Sequence, residues 1–440
     1  MRMSPSSGED SDVARSRSVR TWAAAVVLAL TGVTVSGCTG GHDRAISGSG
    51  AVAIEVDQPE ALADQAVRVR ITGLAPGAEV TVTTQASDYR ASSWQAHAAF
   101  VADPQGAVDL ATTAPRSGSY QGVDGMGLFW SMEPPADAAA TAFVPKFPQL
   151  QGYYQVRLAV ETGGRQQAVR VLERHWLADG VTARELTPAK DGIAGELFLP
   201  PSGTARRPAV LAFGGSEGGT GQNFTAALLA SHGYPTLALG YFGLPGLPST
   251  LQDVPLEYFA DAARLLAAQP EVDPAQLLAL GYSRGSEAAL LLAEDYPTLV
   301  HGAVVYAPSA QVNPGFPSGP TAWTLHGSPV PTGTIPLDKL DGPLLAIAGA
   351  DDRIWPSANW AGQLVKALDL AQNPHPHQAI VYPDAGHLVG TFPYLAADTT
   401  LGSAASKRTT NFGGTRAGNA AAQAAGWAQV LTLLSGLRSS

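Results

Sequence analysis

The sequence predicts two architectures in succession: a β-sandwich of immunoglobulin-like type, then an α/β domain whose mostly parallel sheet has helices on both faces. Three observations predict this. Between residues 51 and 175, short segments alternate apolar and polar residues with period two and are bounded by Gly or Pro. Between 188 and 437, short apolar runs alternate with segments that carry apolar residues at helical spacing, as crossover connections in a parallel sheet require. Within that second stretch, an apolar run ending at Leu280 meets Gly281-Tyr282-Ser283-Arg284-Gly285 and then a row of helix formers, the strand, sharp turn and helix of a nucleophile elbow.

Composition sets outer limits. A chain of 440 residues with 45% hydrophobic composition has core enough for two or three domains. Its formal net charge of −10 and the lack of a basic stripe exclude nucleic acid as a partner, because phosphate binding needs clustered Lys and Arg.

In chain order, residues 1–37 read as a secretory signal peptide. Arg15, Arg17 and Arg20 precede the apolar run 22–30, and Val35-Ser36-Gly37-Cys38 follows. The run is too short and too soon interrupted by Thr31 and Gly32 to span a membrane well. Cys38, the single cysteine, stands where a bacterial lipobox places its acylated residue, so a lipid anchor on the outer face of a membrane is expected. One cysteine permits no intramolecular disulfide. Residues 38–50, rich in Gly and Ser, read as a tether.

Sandwich strands are expected at 51–56, 66–71 (A-V-R-V-R-I), 79–84 (E-V-T-V-T-T), 154–160 and 167–172. The aromatic cluster Phe129-Trp130, with Met126 and Met132, is core or faces the second domain. Residues 175–187 read as a joining stretch. Strands then follow at 192–199, 209–213, 235–239, 277–280, 302–306, 344–348 and 378–382, with helices at 224–231, 256–268, after Ser283, and at 357–370. That succession is the α/β-hydrolase arrangement. Residues 309–341 and 388–418 show no clear regular structure and flank the candidate site, so they form its pocket, a cover over it, or ordinary surface loops.

Each elbow residue has a physical reason. Gly281 and Gly285 carry no side chain where strand and helix crowd together, and Ser283 takes strained geometry that holds its hydroxyl clear. The Arg284 amide, first in the helix, points where an oxyanion would form. A nucleophilic Ser needs a base, and the base an orienting carboxylate. In hydrolases of this fold the chain order is Ser, acid, His. Strand 344–348 runs into Asp351-Asp352, and strand 378–382 runs into Pro383-Asp384-Ala385-Gly386-His387, both at carboxyl ends of strands. The run Gly349-Ala350-Asp351-Asp352-Arg353-Ile354-Trp355-Pro356 resembles the acid loop of that fold and favours Asp352 over Asp351. The Gly-rich loop after strand 209–213 supplies the second oxyanion donor, from Gly215 or Ser216. The Arg284 side chain pairs with an acidic substrate group or caps the elbow, and Glu287 orients the elbow or is a plain helix residue. No metal or cofactor is expected: there is no H-E-x-x-H and no second cysteine.

Together, L-E-Y-F-A-D-A-A-R-L-L at 256–266, G-Y-S-R-G-S-E-A-A-L at the elbow, G-A-D-D-R-I-W-P-S and Y-P-D-A-G-H resemble the acyl-CoA thioesterase / bile acid-CoA:amino acid N-acyltransferase family. So do I-T-G-L-A-P-G-A-E-V-T-V at 71–82, F-V-A-D-P-Q-G-A-V-D-L at 100–110 and G-V-D-G-M-G-L-F-W-S-M at 122–132, and the likeness runs over residues 52–437. The resemblance implies hydrolysis of acyl thioesters through a triad of Ser283, His387 and Asp352. Family members that transfer acyl groups to amino acids usually use Cys as nucleophile, so Ser283 implies water as acceptor. The family's usual acyl-CoA substrates are intracellular, which sits badly with the lipobox. The alternatives are therefore an envelope serine esterase or acyltransferase acting on other acyl esters, or an inactive surface lipoprotein that binds a partner.

Overall fold

Alternation along the central strands decides how this chain builds its layers. In a computed structural model, residues 51–135, 142–390, 392–403 and 408–437 are described. The expectations for residues 1–50, including the signal peptide, the tether and Cys38, lie outside the described residues. Eight strands form the main sheet in the order Thr182–Leu186, Ala194–Leu199, Thr236–Gly240, Arg207–Phe213, Val272–Tyr282, Ala303–Tyr306, Leu344–Gly349 and His377–Tyr382. Ala194–Leu199 is antiparallel to both its neighbours; all later pairings are parallel.

Because successive side chains point to opposite faces, Ala209, Leu211 and Phe213 join one hydrophobic cluster, and Val210 and Ala212 join another. Helices Leu256–Ala267, Arg284–Asp295 and Ser357–Leu370 bury their apolar residues in the first cluster. Helices Asn223–Ser231 and Arg416–Leu437 belong to the second, which continues into the N-terminal strands. Burial on both faces explains why the central strands read as unbroken apolar runs. Expected strands and helices here lie within a few residues of those observed, and the helix at 357–370 coincides with its prediction.

Among the elements that escaped the sequence, three shape the architecture. The joining stretch holds the strand Thr182–Leu186, so the α/β sheet begins there and not at 188. Four of its five residues are exposed, which is why alternation gave no signal on this edge. Ser93–Val101 is the fifth of six strands in the N-terminal sheet, and its inward Ala96 and Ala98 have weak strand propensity. Arg416–Leu437 is a 22-residue helix of mostly small residues, with no polar stripe to contrast with an apolar one.

N-terminally, a six-stranded sheet runs Glu60–Leu62, Arg165–His175, Tyr153–Thr162, Glu79–Ser87, Ser93–Val101, Ser117–Gly118. A three-stranded sheet runs Ala53–Val56, Val69–Thr72, Val108–Asp109. Val69 and Ile71 of the small sheet share one cluster with Val80, Val82, Phe100 and Leu158 of the large one, a sandwich packing. Phe129 is wholly buried in that core, and the Trp130 carbonyl accepts from the Ala397 amide, so the aromatic cluster is both core and contact with the α/β part. Asp64 ties the two parts: its Oδ2 accepts from Trp427 Nε1 at 2.7 Å and lies 2.6 Å from His232 Nε2. Arg174, fully buried, lies over the Phe129 ring and donates to the Ala63 and Gln65 carbonyls.

Candidate active site

Ser283 ends the strand Val272–Tyr282 and stands before the helix Arg284–Asp295, with φ 53° and ψ −121°. A positive φ on a residue with a Cβ is strained, and here neighbouring backbone over-determines it. The Ser283 amide donates to Tyr306 O at 3.0 Å. A Cβ on Gly281 would collide with Gly285 backbone, and one on Gly285 with Gly214 O; these two glycines let strand, helix and neighbouring loop meet.

The loops after two further strands bring the partners. Ser283 Oγ lies 2.9 Å from His387 Nε2, and His387 Nδ1 lies 2.8 Å from Asp352 Oδ2. Both the His387 and Asp352 side chains are 2% exposed. With the imidazole Nδ1–H donating to the carboxylate, Nε2 is left to accept the serine proton. Asp352 is held by three more donors: Ser357 Oγ at 2.6 Å on Oδ2, and the amides of Ile354 at 2.8 Å and Trp355 at 3.2 Å on Oδ1. Asp351 turns the other way, accepting from the Gly414 amide and pairing with Arg353. The geometry agrees with Asp352, rather than its neighbour, as partner of the histidine.

Of the expected oxyanion donors, the Arg284 amide opens the elbow helix, whose first amides have no intrahelical acceptor. Gly215 faces the serine closely: a Cβ there would lie 2.9 Å from Ser283 Cβ. Its N–H donates to both carboxylate oxygens of Glu217, each at 2.9 Å. Ser216 is the next residue, half-buried.

The Arg284 guanidinium is not available to a substrate. It pairs with Glu287 at 2.7 Å and donates to the carbonyls of Asn313 and Pro314. Glu287, fully buried, also accepts from Trp323 Nε1, Asn313 Nδ2 and the Asn313 amide. Burial pushes its carboxyl up, opposed by Arg284. Residues 309–341 therefore wrap this buried pair and do not line an acyl pocket, one of the roles open to them. Their polar anchor, Asn313, reaches back to the elbow helix.

Sequence reading also missed the rings around the histidine. Tyr282, Trp355 and Phe412 stand 5.4, 5.6 and 5.8 Å from the His387 ring, and Tyr282 Oη donates to His387 O at 3.2 Å. A cavity of about 570 Å³ opens beside them, lined by Phe143 and Phe147 from the N-terminal part and by Phe224, Leu388 and Phe392 from the α/β part. Glu217 and Tyr282 border it on the Ser283 side, and Asp398 also faces it, its carboxyl pushed up to about 7 by burial. From the stretch 388–418, Leu388, Gly390, Phe392, Leu395 and Leu401 supply cavity wall, as its position beside the histidine suggested.

Residues 64–188 match the family described as "Acyl-CoA thioester hydrolase/BAAT N-terminal region", and residues 254–320 and 320–437 match "BAAT / Acyl-CoA thioester hydrolase C terminal". Acyl-coenzyme A thioesterase 6 of Mus musculus is 32% identical over 355 residues, 74% of this chain and 82% of the relative. Acyl-coenzyme A thioesterase 1 of Mus musculus is 30% identical over 402 residues, 84% of this chain and 92% of the relative. Among solved structures, MGS-M1, an alpha/beta hydrolase enzyme from a deep-sea metagenome library, is 18% identical at TM-score 0.36, covering 49% of this chain and 87% of that one.

Proposed function

The chain belongs to the acyl-CoA thioester hydrolase/BAAT family, and from that premise we propose that it hydrolyses acyl-CoA thioesters through an acyl-enzyme on Ser283. The single observation that carries the mechanism is the hydrogen-bonded series Ser283, His387, Asp352 beside a largely apolar cavity.

In the first half-reaction, His387 Nε2 takes the Ser283 proton as Oγ attacks the thioester carbon. Asp352 holds the imidazole in the tautomer that leaves Nε2 free to accept, and stabilises the imidazolium that results. The oxyanion forms against the amides of Arg284 and Gly215, and the acyl chain extends into the cavity. The thiol leaves with the proton from His387. His387 then deprotonates water, which attacks the acyl-enzyme and releases the acid. A serine nucleophile in place of cysteine favours water over an amine acceptor.

Cys38 supports a second inference, that the chain is lipid-anchored outside the cytoplasm, and this favours as runner-up an esterase acting on envelope or exogenous esters. The test is release of thiol from an acyl-CoA panel and of acid from oxygen esters, using protein from residue 38 onward with Cys38→Ser, beside the same protein carrying Ser283→Ala. Ser283-dependent CoA release supports the thioesterase; turnover of oxygen esters alone replaces it with the esterase; silence on both returns it to a binding lipoprotein. Mass spectrometry of the native N-terminus reads lipidation at Cys38, and an unmodified Met1 overturns the anchor.

A further inference from the structure

One acidic side chain beside Ser283 has no part in that mechanism. Glu217 follows the strand Arg207–Phe213, and its two carboxylate oxygens share the Gly215 N–H at 2.9 Å. The carboxylate sits in a socket of glycine backbone: a Cβ on Gly214 or Gly221 would collide with Oε1, and one on Gly215 would come within 3.1 Å of Oε2. Tyr241, fully buried, fixes the loop by donating to Gly214 O at 2.9 Å and Gly215 O at 2.6 Å. Glu217 as a residue is exposed and borders the open cavity, while its carboxylate oxygens lie against the backbone of Gly214, Gly215 and Gly221.

We propose that Glu217 is an internal occupant of the oxyanion site: in the free enzyme its carboxylate holds the Gly215 N–H that the thioester oxygen must take, so ionised Glu217 competes with substrate. The inference rests on the reading of Ser283 as nucleophile and of Gly215 as a donor. One N–H cannot serve two acceptors at full strength, and a carboxylate left beside a forming oxyanion repels it. Protonation of Glu217 weakens its grip and removes the repulsion. Burial pushes the carboxyl up from its ordinary value, while the Gly215 amide and the His387 charge act downward, so the occupant exchanges its proton above the usual glutamate range. The titratable groups facing it are His387, Tyr241 and Tyr282. Burial holds both tyrosines protonated, so neither changes charge alongside Glu217.

Glu217 is thus a positioning residue whose signature is a pH profile. The experiment measures kcat/KM for decanoyl-CoA between pH 5 and 9 in the wild type, Glu217→Gln and Glu217→Ala, with the rate of Ser283 labelling by a fluorophosphonate as a second readout. Gln keeps the shape and a neutral acceptor, so kcat/KM rises roughly fivefold at pH 8–9, the difference between a charged and a neutral acceptor, and the ratio shrinks toward one at pH 5. Ala gives an equal or larger rise, and labelling follows the same trend. A loss by the same factor at every pH in both variants overturns the inference and makes Glu217 a support for the loop or for the imidazolium. A gain that grows as pH falls overturns it as well. Retention of turnover in Ser283→Ala is a different failure, that of the nucleophile reading, and withdraws the premise.

Discussion

Replacing Asp352 by Asn disables the base while leaving the fold in place, and the direction follows from which oxygen holds which donor. Oδ1 of Asp352 accepts two backbone amides, those of Ile354 and Trp355, which have no freedom to become acceptors. The Asn carbonyl must therefore stay on that side. The new Nδ2 takes the place of Oδ2, facing His387 Nδ1 and Ser357 Oγ. The serine hydroxyl can turn and accept, but the imidazole Nδ1 must now accept too, which moves its proton to Nε2. There it points at Ser283 Oγ, and general base catalysis is lost. The expected fall in kcat is about 10³–10⁴-fold, or about 4–5.5 kcal/mol in the barrier. Since shape and donors are kept, the change in unfolding free energy is about 1 kcal/mol or less. The assay is steady-state thiol release from an acyl-CoA, with the unfolding midpoint as control and Asp351→Asn in parallel. Asp351 meets the Gly414 amide and Arg353 rather than His387, so its variant stays within about threefold of wild type. The reasoning is refuted if Asp352→Asn retains activity within tenfold of wild type, or if Asp351→Asn is the damaging change.

Other consequences follow from the same contacts. Gly285→Ala drives a Cβ against the backbone oxygens of Gly214 and Phe213, which cannot give way; the elbow and the Gly215 loop part, and kcat/KM drops by about 10²-fold or more in the thiol-release assay. Glu287→Ala leaves the buried Arg284 charge unpaired and costs about 3–5 kcal/mol in denaturant unfolding. Asp398 ionises near pH 7 in the fold against about 4 when unfolded, so the native state holds the extra proton between those values and stability falls as pH rises through them. Asp398→Asn removes this slope: it gains up to about 4 kcal/mol over wild type above pH 7 and little at pH 4, read from unfolding midpoints across pH.

Much of the α/β part was legible because its strands are buried on both faces, and its active loops follow strand ends in a fixed order. Leu344–Gly349 announces itself as a wholly buried apolar run and His377–Tyr382, a part-exposed edge strand, by its short A-I-V centre, and the acid and histidine stand just beyond each. Thr182–Leu186 was illegible for the opposite reason, since an exposed edge strand is held by pairing with Ala194–Leu199 and not by an apolar face. The Arg284 side chain was also beyond sequence. Its partner Glu287 is three residues away, but the carbonyls of Asn313 and Pro314 that complete its burial come from a loop without regular structure.

The chain alone determined the kinds of groups available and their order: a strained serine between glycines, an acid, a histidine, and a Gly-rich loop upstream. These are properties of local backbone chemistry and of strand succession, which short spacing records. Only tertiary structure decided the rest. It brought the Asp352 carboxylate, which the loop pattern already favoured, to the His387 ring, seated Glu217 on the Gly215 amide, and made one cavity from Phe143 and Phe392, which lie far apart in the chain. Those outcomes depend on which surfaces come into contact when the N-terminal sheets pack on the α/β layer, and contacts between distant segments leave no periodic mark in sequence.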